Sequence, residues 1–337
     1  MLQLPVLLGF LNMLSLTQEQ IGSFKSFIDS HDYFLIAGHK EPDGDCISSC
    51  LGMSYILNHF NKKYSLINSG PFKRSEIKCF SPLFSDQKPS LSGKQNPALL
   101  IVDCSEHERL GDIAAGLENL DTFIVDHHKT SDAKGKESII DPSAPAAALL
   151  VQQLFEALVG KPNPEEAHAL FFGIATDTGF FHYLSQKDSS VFESAARLTE
   201  AGVNPRNVYQ EISDGKPWNT RKLLAILLDR AKRYCGGKLA LTFEEQADTR
   251  RYGQDGRDSD ALYSLMLATE GIEAVVFLRQ ESDVKCTAGF RSLNDCDVSV
   301  IASKFGGGGH KNASGASIEG RLEQIIPRIV LEFEKVL

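Results

Sequence analysis

The sequence has less positive than negative charge, which excludes some classes of partner. Its 337 residues include 35 Lys and Arg against 44 Asp and Glu, giving a net charge of −9. A protein without an overall basic field does not attract a long nucleic-acid backbone or an anionic membrane surface. Cations bound at the acidic clusters described below would neutralise part of this charge.

Cysteine is scarce, and its pattern argues against disulfides. There are seven cysteines, an odd number, and apart from Cys46 and Cys50 they lie far apart. This predicts free thiols in a reducing compartment, and we expect a cytoplasmic protein. Cys46 and Cys104 directly follow acidic motif residues, but we interpret both as small buried packing residues.

A long apolar run is also missing. The apolar start, Met1 to Leu16, is too short to span a bilayer as a helix, and no Lys or Arg precedes Lys25. Because a cleavage site of small residues is absent too, we expect neither a signal peptide nor a membrane partner.

Three apolar runs are present, and each ends in a polar motif. Tyr33 to Ala37 leads into His39, Ala98 to Val102 into Asp103, and Phe123 to Val125 into Asp126. Continuous apolar runs predict strands buried on both faces of a parallel sheet. Ligands of such sheets lie just beyond the carboxyl ends of the strands, where these motifs fall.

A further acidic residue ends a predicted helix. Ala167, Leu170, Phe171 and Ile174 have the spacing of one buried helix face, and this places Asp177 in the last turn. The carboxyl end of a helix carries partial negative charge, so a carboxylate there requires a compensating cation.

The length predicts two α/β domains. We expect a parallel-sheet domain with flanking helices over 1–212, a linker helix over 213–236, and a smaller α/β domain with a mixed sheet over 237–337. The predicted elements of the smaller domain are strands Leu239–Phe243, Ala274–Leu278 and Val284–Phe290 and helices Asp258–Ala268, Val298–Lys304 and Leu322–Phe333.

The four polar motifs together predict a dinuclear metal site. They are His39-Lys-Glu-Pro-Asp43-Gly-Asp45, Asp103, Asp126-His127-His128 and Asp177-Thr-Gly. Carboxylate and imidazole groups suit manganese and magnesium. Each motif alone also fits an acidic loop or a helix cap, with the helix after the first motif beginning near Ile47. Two adjacent imidazoles in an apolar context are costly unless something uses them, which favours the metal site.

A glycine run near the end has two interpretations. Gly306 to Gly309 fits a flexible loop, or a cradle whose backbone N–H groups bind phosphate. His310 and Lys311 follow directly and Arg291 ends the preceding strand, so we favour anion binding. Arg257 is a further candidate, although a single arginine is more often a solvated surface charge.

This set of motifs resembles the DHH phosphoesterase family, whose signature is Asp126-His127-His128 here. The glycine run with His310 resembles the family's DHH-associated C-terminal domain, and the likeness covers nearly the whole chain after about residue 30. Within the family the chain most resembles the nanoRNase type. That type cleaves very short RNA and removes the 3′-phosphate of 3′-phosphoadenosine 5′-phosphate.

The resemblance implies a role for each motif residue. His39, Asp43 and Asp103 would hold one cation, and Asp45, Asp103, His127 and Asp177 the other. The cofactor would be two Mn²⁺, with Mg²⁺ possible, and Asp103, Asp126 and His128 would be catalytic. His128 would face the phosphate. The substrate-binding residues would be His128, Arg257, Arg291, Gly308, Gly309, His310 and Lys311.

The resemblance also leaves alternatives open. One is a phosphodiesterase of cyclic or linear dinucleotides, and another is a non-catalytic nucleotide-binding or RNA-binding relative. Related nanoRNases often carry an arginine where this chain has His182, which puts the substrate preference in doubt but not the metal site. By analogy a homodimer is expected.

Overall fold

The computed structural model describes residues 16–128, 137–254, 257–293 and 295–337, so nearly all of the apolar start lies outside it. Contacts divide the chain into two compact units, the first ending at Gly215 and the second running from Lys216 to Leu337. In the part described, no helix combines the length and apolarity that crossing a membrane requires.

The first unit is built on a five-stranded parallel sheet of order β2-β1-β3-β4-β5. Its strands are β1 Tyr33–Ala37, β2 Lys63–Ile67, β3 Pro97–Val102, β4 Asp121–Asp126 and β5 Glu137–Ile140. Its helices are α1 Gln18–Ser30, α2 Gly44–His59, α3 Ala147–Leu158, α4 Pro164–Asp177, α5 Ser189–Glu200 and α6 Pro205–Ser213, with 3-10 turns at Ser75–Leu83, His107–Ile113 and Gln186–Asp188.

Alternate residues of the central strands enter two separate cores. Phe34 and Ile36 of β1 pack beneath the helices on one face, whereas Leu35 and Ala37 pack under the 3-10 turn His107–Ile113 on the other. Because both faces are covered, every residue of β1 is buried. The sheet is therefore a rigid support whose carboxyl ends have fixed positions.

Helices α2, α3 and α4 pack together on one face of the sheet. Gly173 of α4 allows the closest approach, since a Cβ there would lie 2.5 Å from the Cβ of Ser48 and 2.7 Å from that of Ala148. This contact joins all three helices near the ends that carry the acidic motifs. Interior packing of this density leaves no room for one more carbon atom.

The second unit is built on a six-stranded mixed sheet of order β10-β11-β9-β8-β7-β6, in which only β7 and β8 are parallel neighbours. Helices α10 and α11 cover one face and α7 and α9 the other. The elements are α7 Trp218–Arg230, β6 Lys232–Tyr234, a 3-10 turn at Cys235–Gly237, β7 Leu239–Glu244, α8 Gln246–Tyr252, α9 Ser259–Leu267, β8 Ala274–Ser282, β9 Lys285–Ser292, α10 Val298–Ser303, β10 Gly308–His310, β11 Ala313–Glu319 and α11 Leu322–Phe333.

The predicted fold class is confirmed: a parallel sheet with flanking helices precedes a smaller unit with a mixed sheet. The helix expected to begin near Ile47 begins earlier, at Gly44, because Asp43 caps it. The range 213–236, predicted as a linker helix, contains helix α7 and strand β6, and α7 packs on β7. The domain boundaries themselves stay a prediction.

We expect Gly173→Ala to lower the free energy of unfolding by about 1–3 kcal/mol, because the added methyl group overpacks the contact of three helices. Gly22 in helix α1 is the matched control, since a Cβ there meets nothing within 4 Å. Gly22→Ala should stabilise the protein by about 0.5–1 kcal/mol. Urea unfolding of both variants tests this, and equal midpoints would contradict the packing argument.

Candidate metal centre

The topology of the first sheet brings three of the motifs together. From β1 the chain crosses to β2 on one side, and β3 then pairs on the other side of β1. This reversal opens a crevice at the carboxyl ends of β1 and β3, the usual ligand position in such sheets. His39 follows β1, Asp103 follows β3 and His127 follows β4, so the three side chains meet at one edge.

The first motif is positioned by two helix N-termini. Asp43 caps helix α2, and its carboxylate accepts the N–H of Cys46 at 3.1 Å. Asp45 accepts the N–H groups of Ala147 and Ala148, at the start of α3, at 2.6 and 2.7 Å. The unpaired N–H groups and partial positive charge of a helix N-terminus stabilise a carboxylate, so both side chains are fixed in place.

Asp103 lies between two groups of side chains. Its Oδ2 is 3.3 Å from Nε2 of His39, and its Oδ1 is 3.4 Å from Nε2 of His127. Asp103 also has a positive φ of 58°, which is uncommon for a residue other than glycine and is seen at functional sites. Its two oxygens therefore face two different ligand sets.

Each of these sets contains further carboxylates. Nε2 of His39 lies 3.9 Å from Oδ1 of Asp43. Nε2 of His127 lies 3.5 Å from Oδ2 of Asp177 and 3.8 Å from Oδ2 of Asp45. This is the same division into two sets that the family resemblance implies.

The two imidazoles have their Nδ1 atoms tied to the backbone. Nδ1 of His39 lies 2.9 Å from the carbonyl oxygen of Lys40, and Nδ1 of His127 lies 3.1 Å from that of Ala144. A carbonyl oxygen only accepts, so each Nδ1 carries the proton and donates. When the ring is neutral, Nε2 is left with a free lone pair facing the carboxylates, which is the arrangement typical of metal-binding histidines.

His128 is held differently from its neighbour. Oδ1 of the fully buried Asp126 lies 2.8 Å from Nδ1 of His128 and also accepts the N–H groups of His127 and His128. Asp126 therefore orients the loop and the ring of His128, whose Nδ1 also lies 3.8 Å from Oδ1 of Asp103. The His128 side chain is 34% exposed, and within the described residues no hydrogen bond occupies its Nε2, on the side of the ring away from this bond.

The electrostatics of the cluster show an excess of negative charge. Burial and the neighbouring Asp103 and Asp177 hold the pKa of Asp45 well above its usual range. Burial, together with Asp103 and Asp43, raises the pKa of Asp177 to about 6. Without cations, four nearby carboxylates and two imidazoles balance their charges only by keeping protons.

For His39, His127 and Asp43, the neighbouring groups shift the pKa in the direction opposite to the effect of burial, and they outweigh it. Burial lowers the pKa of His39 and of His127, but the neighbouring carboxylates outweigh it and raise these values to about 11 and about 10. Burial raises the pKa of Asp43, but hydrogen bonds with His39 and the N–H of Cys46 outweigh it and lower the value to about 2.

This donor set fits divalent cations. Carboxylate oxygens and neutral imidazoles are ligands for Mn²⁺ and Mg²⁺, and two such ions would supply the positive charge that four carboxylates require. Cys46 is also near His39 and Asp103, but its thiol is buried against the backbone at Gly38. A protonated thiol is a poor ligand for hard cations, so we interpret Cys46 as a packing residue.

The predicted substrate-binding residues of the second unit do not all lie in one pocket. Arg291 and Gly308 line a pocket of about 380 Å³, whose wall also includes Arg279 and Tyr263. The guanidinium of Arg291 lies over the Tyr263 ring, 4.7 Å from its centroid. Gly309 follows Gly308 in strand β10.

Other predicted residues of this unit are paired or exposed. The guanidinium Nε of Arg257 donates to both carboxylate oxygens of the buried Glu244, at 3.0 and 3.1 Å. His310 is exposed, and Lys311 forms an exposed ion pair of 3.0 Å with Asp295.

Much of the glycine run is used by the fold. The N–H groups of Gly306 and Gly307 donate to the carbonyl oxygens of Ser303 and Ala302 at the end of helix α10. Gly308 and Gly309 pair with Gly315 and Ser314 of β11 as an edge strand.

Three supporting residues were not predicted. Arg279 lines the pocket, but it follows Leu278, where the predicted strand ends. The side chain of Asn68 donates to the carbonyl oxygens of Gly38 and His39 and fixes the first loop. The carbonyl of Ala144 orients His127. A longer predicted strand would have included Arg279, since the observed strand runs to Ser282. The contacts of Asn68 and Ala144 depend on the tertiary fold, so the sequence gives no signal for them.

Comparisons with known proteins agree with the motifs. Residues 33–174 match the model of the DHH family, N-terminal domain, and residues 236–337 match the DHHA1 domain. The bifunctional oligoribonuclease and PAP phosphatase NrnA of Thermus thermophilus is 30% identical over 298 residues, covering 88% of this chain and 87% of that protein. The chain therefore belongs to the DHH family and is a phosphoesterase of the type that carries a DHHA1 domain.

Two further comparisons concern a second relative and a solved structure. The cyclic-di-AMP phosphodiesterase PdeA of Listeria monocytogenes is 26% identical, covering 88% of this chain but 46% of that protein. The crystal structure of an exopolyphosphatase-related protein from Bacteroides fragilis has a TM-score of 0.82 at 21% identity and covers 96% of this chain and 98% of that one. The second likeness concerns the fold alone.

Cation binding should release protons and strengthen as the pH rises. The pKa values of about 11 and about 10 mean that His39 and His127 are protonated at neutral pH, whereas a ligand imidazole must be neutral. Titration calorimetry of Mn²⁺ in buffers of different ionisation enthalpy measures the released protons. Binding heats independent of the buffer, with an affinity that does not rise between pH 6 and 8, would contradict this.

Proposed function

We propose that this chain hydrolyses phosphoester bonds in short RNA oligonucleotides and removes the 3′-phosphate of 3′-phosphoadenosine 5′-phosphate. The observation that carries the proposal is the position of Asp103, whose two carboxylate oxygens face two separate sets of candidate ligands. Each set contains one histidine and at least one further carboxylate. The relative named oligoribonuclease and PAP phosphatase matches nearly the whole chain, which supports the choice of substrates.

Two cations, which we propose to be Mn²⁺ with Mg²⁺ as the alternative, would be held by this centre. His39, Asp43 and Asp103 would hold one, and Asp45, Asp103, His127 and Asp177 the other. When bound, such ions neutralise phosphate oxygens and lower the pKa of water so that it becomes a nucleophile. The protein contributes fixed ligand positions, set by the strand ends and by two helix N-termini.

His128 would act on the substrate rather than on the ions. Asp126 fixes its ring through Nδ1, so Nε2 is available to hydrogen-bond a phosphate oxygen. Hydrolysis adds water across a P–O bond, and the leaving oxygen gains a proton. A protonated Nε2 can donate that proton, while Asp126 stabilises the positive ring.

The second unit would bind another part of the nucleotide. Arg279 and Arg291 give its pocket positive charge, and Gly308 leaves one wall without a side chain. Guanidinium groups suit phosphate because they offer several donors in one plane. We propose that this pocket binds a terminal phosphate and that Arg257 and the exposed His310 and Lys311 contribute to this binding.

A cytoplasmic location and a homodimer stay predictions.

The alternative with most support is a cyclic-dinucleotide phosphodiesterase, since the Listeria relative matches most of this chain. That protein is about twice as long as the part that matches, whereas the Thermus relative matches over nearly its whole length. The Thermus relative is also more similar to this chain, at 30% identity against 26%, and this supports short RNA and 3′-phosphoadenosine 5′-phosphate as substrates.

With Mn²⁺, we expect the purified chain to convert an RNA dinucleotide to mononucleotides and to release phosphate from 3′-phosphoadenosine 5′-phosphate. Asp103→Asn should lower kcat/KM for both by at least about a hundredfold, because one ligand serves both ions. Asp121→Asn, at the opposite end of β4, is the matched control and should change little. Its exposed carboxylate forms only a weak pair with His31.

A substrate panel separates the proposal from its alternative. Chromatography of the products from dinucleotides, longer RNA, cyclic dinucleotides and 3′-phosphoadenosine 5′-phosphate gives the relative kcat/KM values. Preferred turnover of a cyclic dinucleotide would favour the alternative. Nucleotide binding with no turnover of any substrate would indicate a non-catalytic relative.

His128→Gln should separate catalysis from metal binding. We expect kcat to fall roughly 100- to 10,000-fold, since proton transfer by a positioned side chain contributes about that much. The affinity for Mn²⁺ should change little, because Nδ1 of His128 is hydrogen-bonded to Asp126 at 2.8 Å and lies farther, at 3.8 Å, from Oδ1 of Asp103. Calorimetry and steady-state kinetics measure the two effects, and a matching loss of Mn²⁺ affinity would make His128 a ligand.

A further inference from the structure

The short segment that begins two residues after Asp177 has an unusual backbone conformation, which is held by packing. Gly179, Phe180 and Phe181 have consecutive positive φ values of 56°, 53° and 70°. This conformation is costly for the two phenylalanines and persists only where packing enforces it. Both rings pack against Phe171 of helix α4, with centroids 6.4 and 5.6 Å away. The turn that follows Asp177 is therefore held in one conformation.

Tyr183 stands at the end of this turn and is 71% exposed. Its N–H donates to the carbonyl oxygen of Thr178 at 3.1 Å. Its ring lies against Gly179, where a Cβ would come within 2.4 Å of the ring carbon Cε2. Glycine at position 179 thus allows the aromatic ring to lie on the backbone. The ring is fixed on one side, and the rest of its surface faces solvent.

This ring is close to the open side of the metal centre. Gly179 is two residues after Asp177, so their Cα atoms are at most about 7.6 Å apart. Among the proposed ligands Asp177 is the most exposed, with 31% of its side chain accessible against 1% for Asp45 and 3% for Asp103. Because the ring contacts Gly179, it lies on the same short turn as the most exposed of the proposed ligands.

We propose that Tyr183 is a stacking platform for the base of the nucleotide whose phosphate is at the metal centre. The inference rests on the proposed function and adds a base subsite to it. Every nucleobase has a flat face that stacks on an aromatic ring, so such a platform accepts all bases. The adjacent His182 ring lies edge-to-face with Tyr183, with centroids 5.4 Å apart, and 71% of Tyr183 stays exposed.

A purely structural role for Tyr183 makes a different prediction. If the ring only supported the turn at Gly179, its loss would displace Asp177 and weaken cation binding. Substrates with and without a base would then be affected equally. A stacking role affects only ligands that carry a base.

The experiment compares the binding of AMP and of ribose 5-phosphate by titration calorimetry in the presence of Mn²⁺. The 5′-phosphate of AMP is the group that would bind the ions, and ribose 5-phosphate is the same molecule without the base. For Tyr183→Leu we expect the Kd of AMP to rise at least about fivefold, the lower end of a typical stacking contribution. The Kd of ribose 5-phosphate and that of Mn²⁺ should not change. Tyr183→Phe keeps the ring and should bind AMP like the original protein.

Three results would overturn the stacking role: an unchanged Kd of AMP in Tyr183→Leu, an equal loss for ribose 5-phosphate, or weaker binding of Mn²⁺. Each is distinct from a failure of the proposed function. That failure would be the absence of turnover of RNA and of 3′-phosphoadenosine 5′-phosphate by the unaltered protein.

Discussion

The concentration of carboxylates at one edge of a buried sheet is the constraint on which the rest of the structure depends. Asp45 and Asp103 are almost completely buried, and buried charges are unfavourable unless partners compensate them. The fold supplies part of the compensation through the N-terminus of helix α3 and the rings of His39 and His127. These partners still leave four carboxylates against two imidazoles. Divalent cations would supply the missing positive charge, so the burial of these carboxylates and the proposed chemistry of the first unit have the same physical cause.

The central strands could be predicted closely because each is an uninterrupted apolar run bounded by polar residues. The run Tyr33 to Ala37 coincides with strand β1, and Leu322 to Phe333 coincides with helix α11, whose apolar face repeats regularly. Helix α3 is different, because all of its residues from Ala147 to Glu156 are buried. Its polar residues Gln152, Gln153 and Glu156 are buried with the rest, so the pattern of apolar and polar positions does not separate a buried face from an exposed one.

The candidate ligands could also be predicted, since each motif is local in sequence and follows a strand or ends a helix. What holds them could not be. Asp45 is fixed by N–H groups about a hundred residues away in sequence, and only the packing of helices α2, α3 and α4 brings these atoms together. The glycine run shows the same limit, because its sequence suggests anion binding whereas part of its role is structural. Its first N–H groups cap helix α10, which the composition of the run does not reveal.

The ligand set and the choice of substrate are separable properties of this molecule. Relatives named for different phosphodiester substrates match this chain over most of its length, so a shared fold does not by itself fix specificity. The buried candidate ligands around Asp103 have little freedom to vary, because each position is set by a strand end or a helix terminus. The residues around the opening have more freedom, since His182 and Tyr183 are exposed and follow a turn that the interior holds in place. Substitutions there can change which nucleotide binds without disturbing the buried charges, and selectivity within this fold is therefore expected to depend on the rim of the centre.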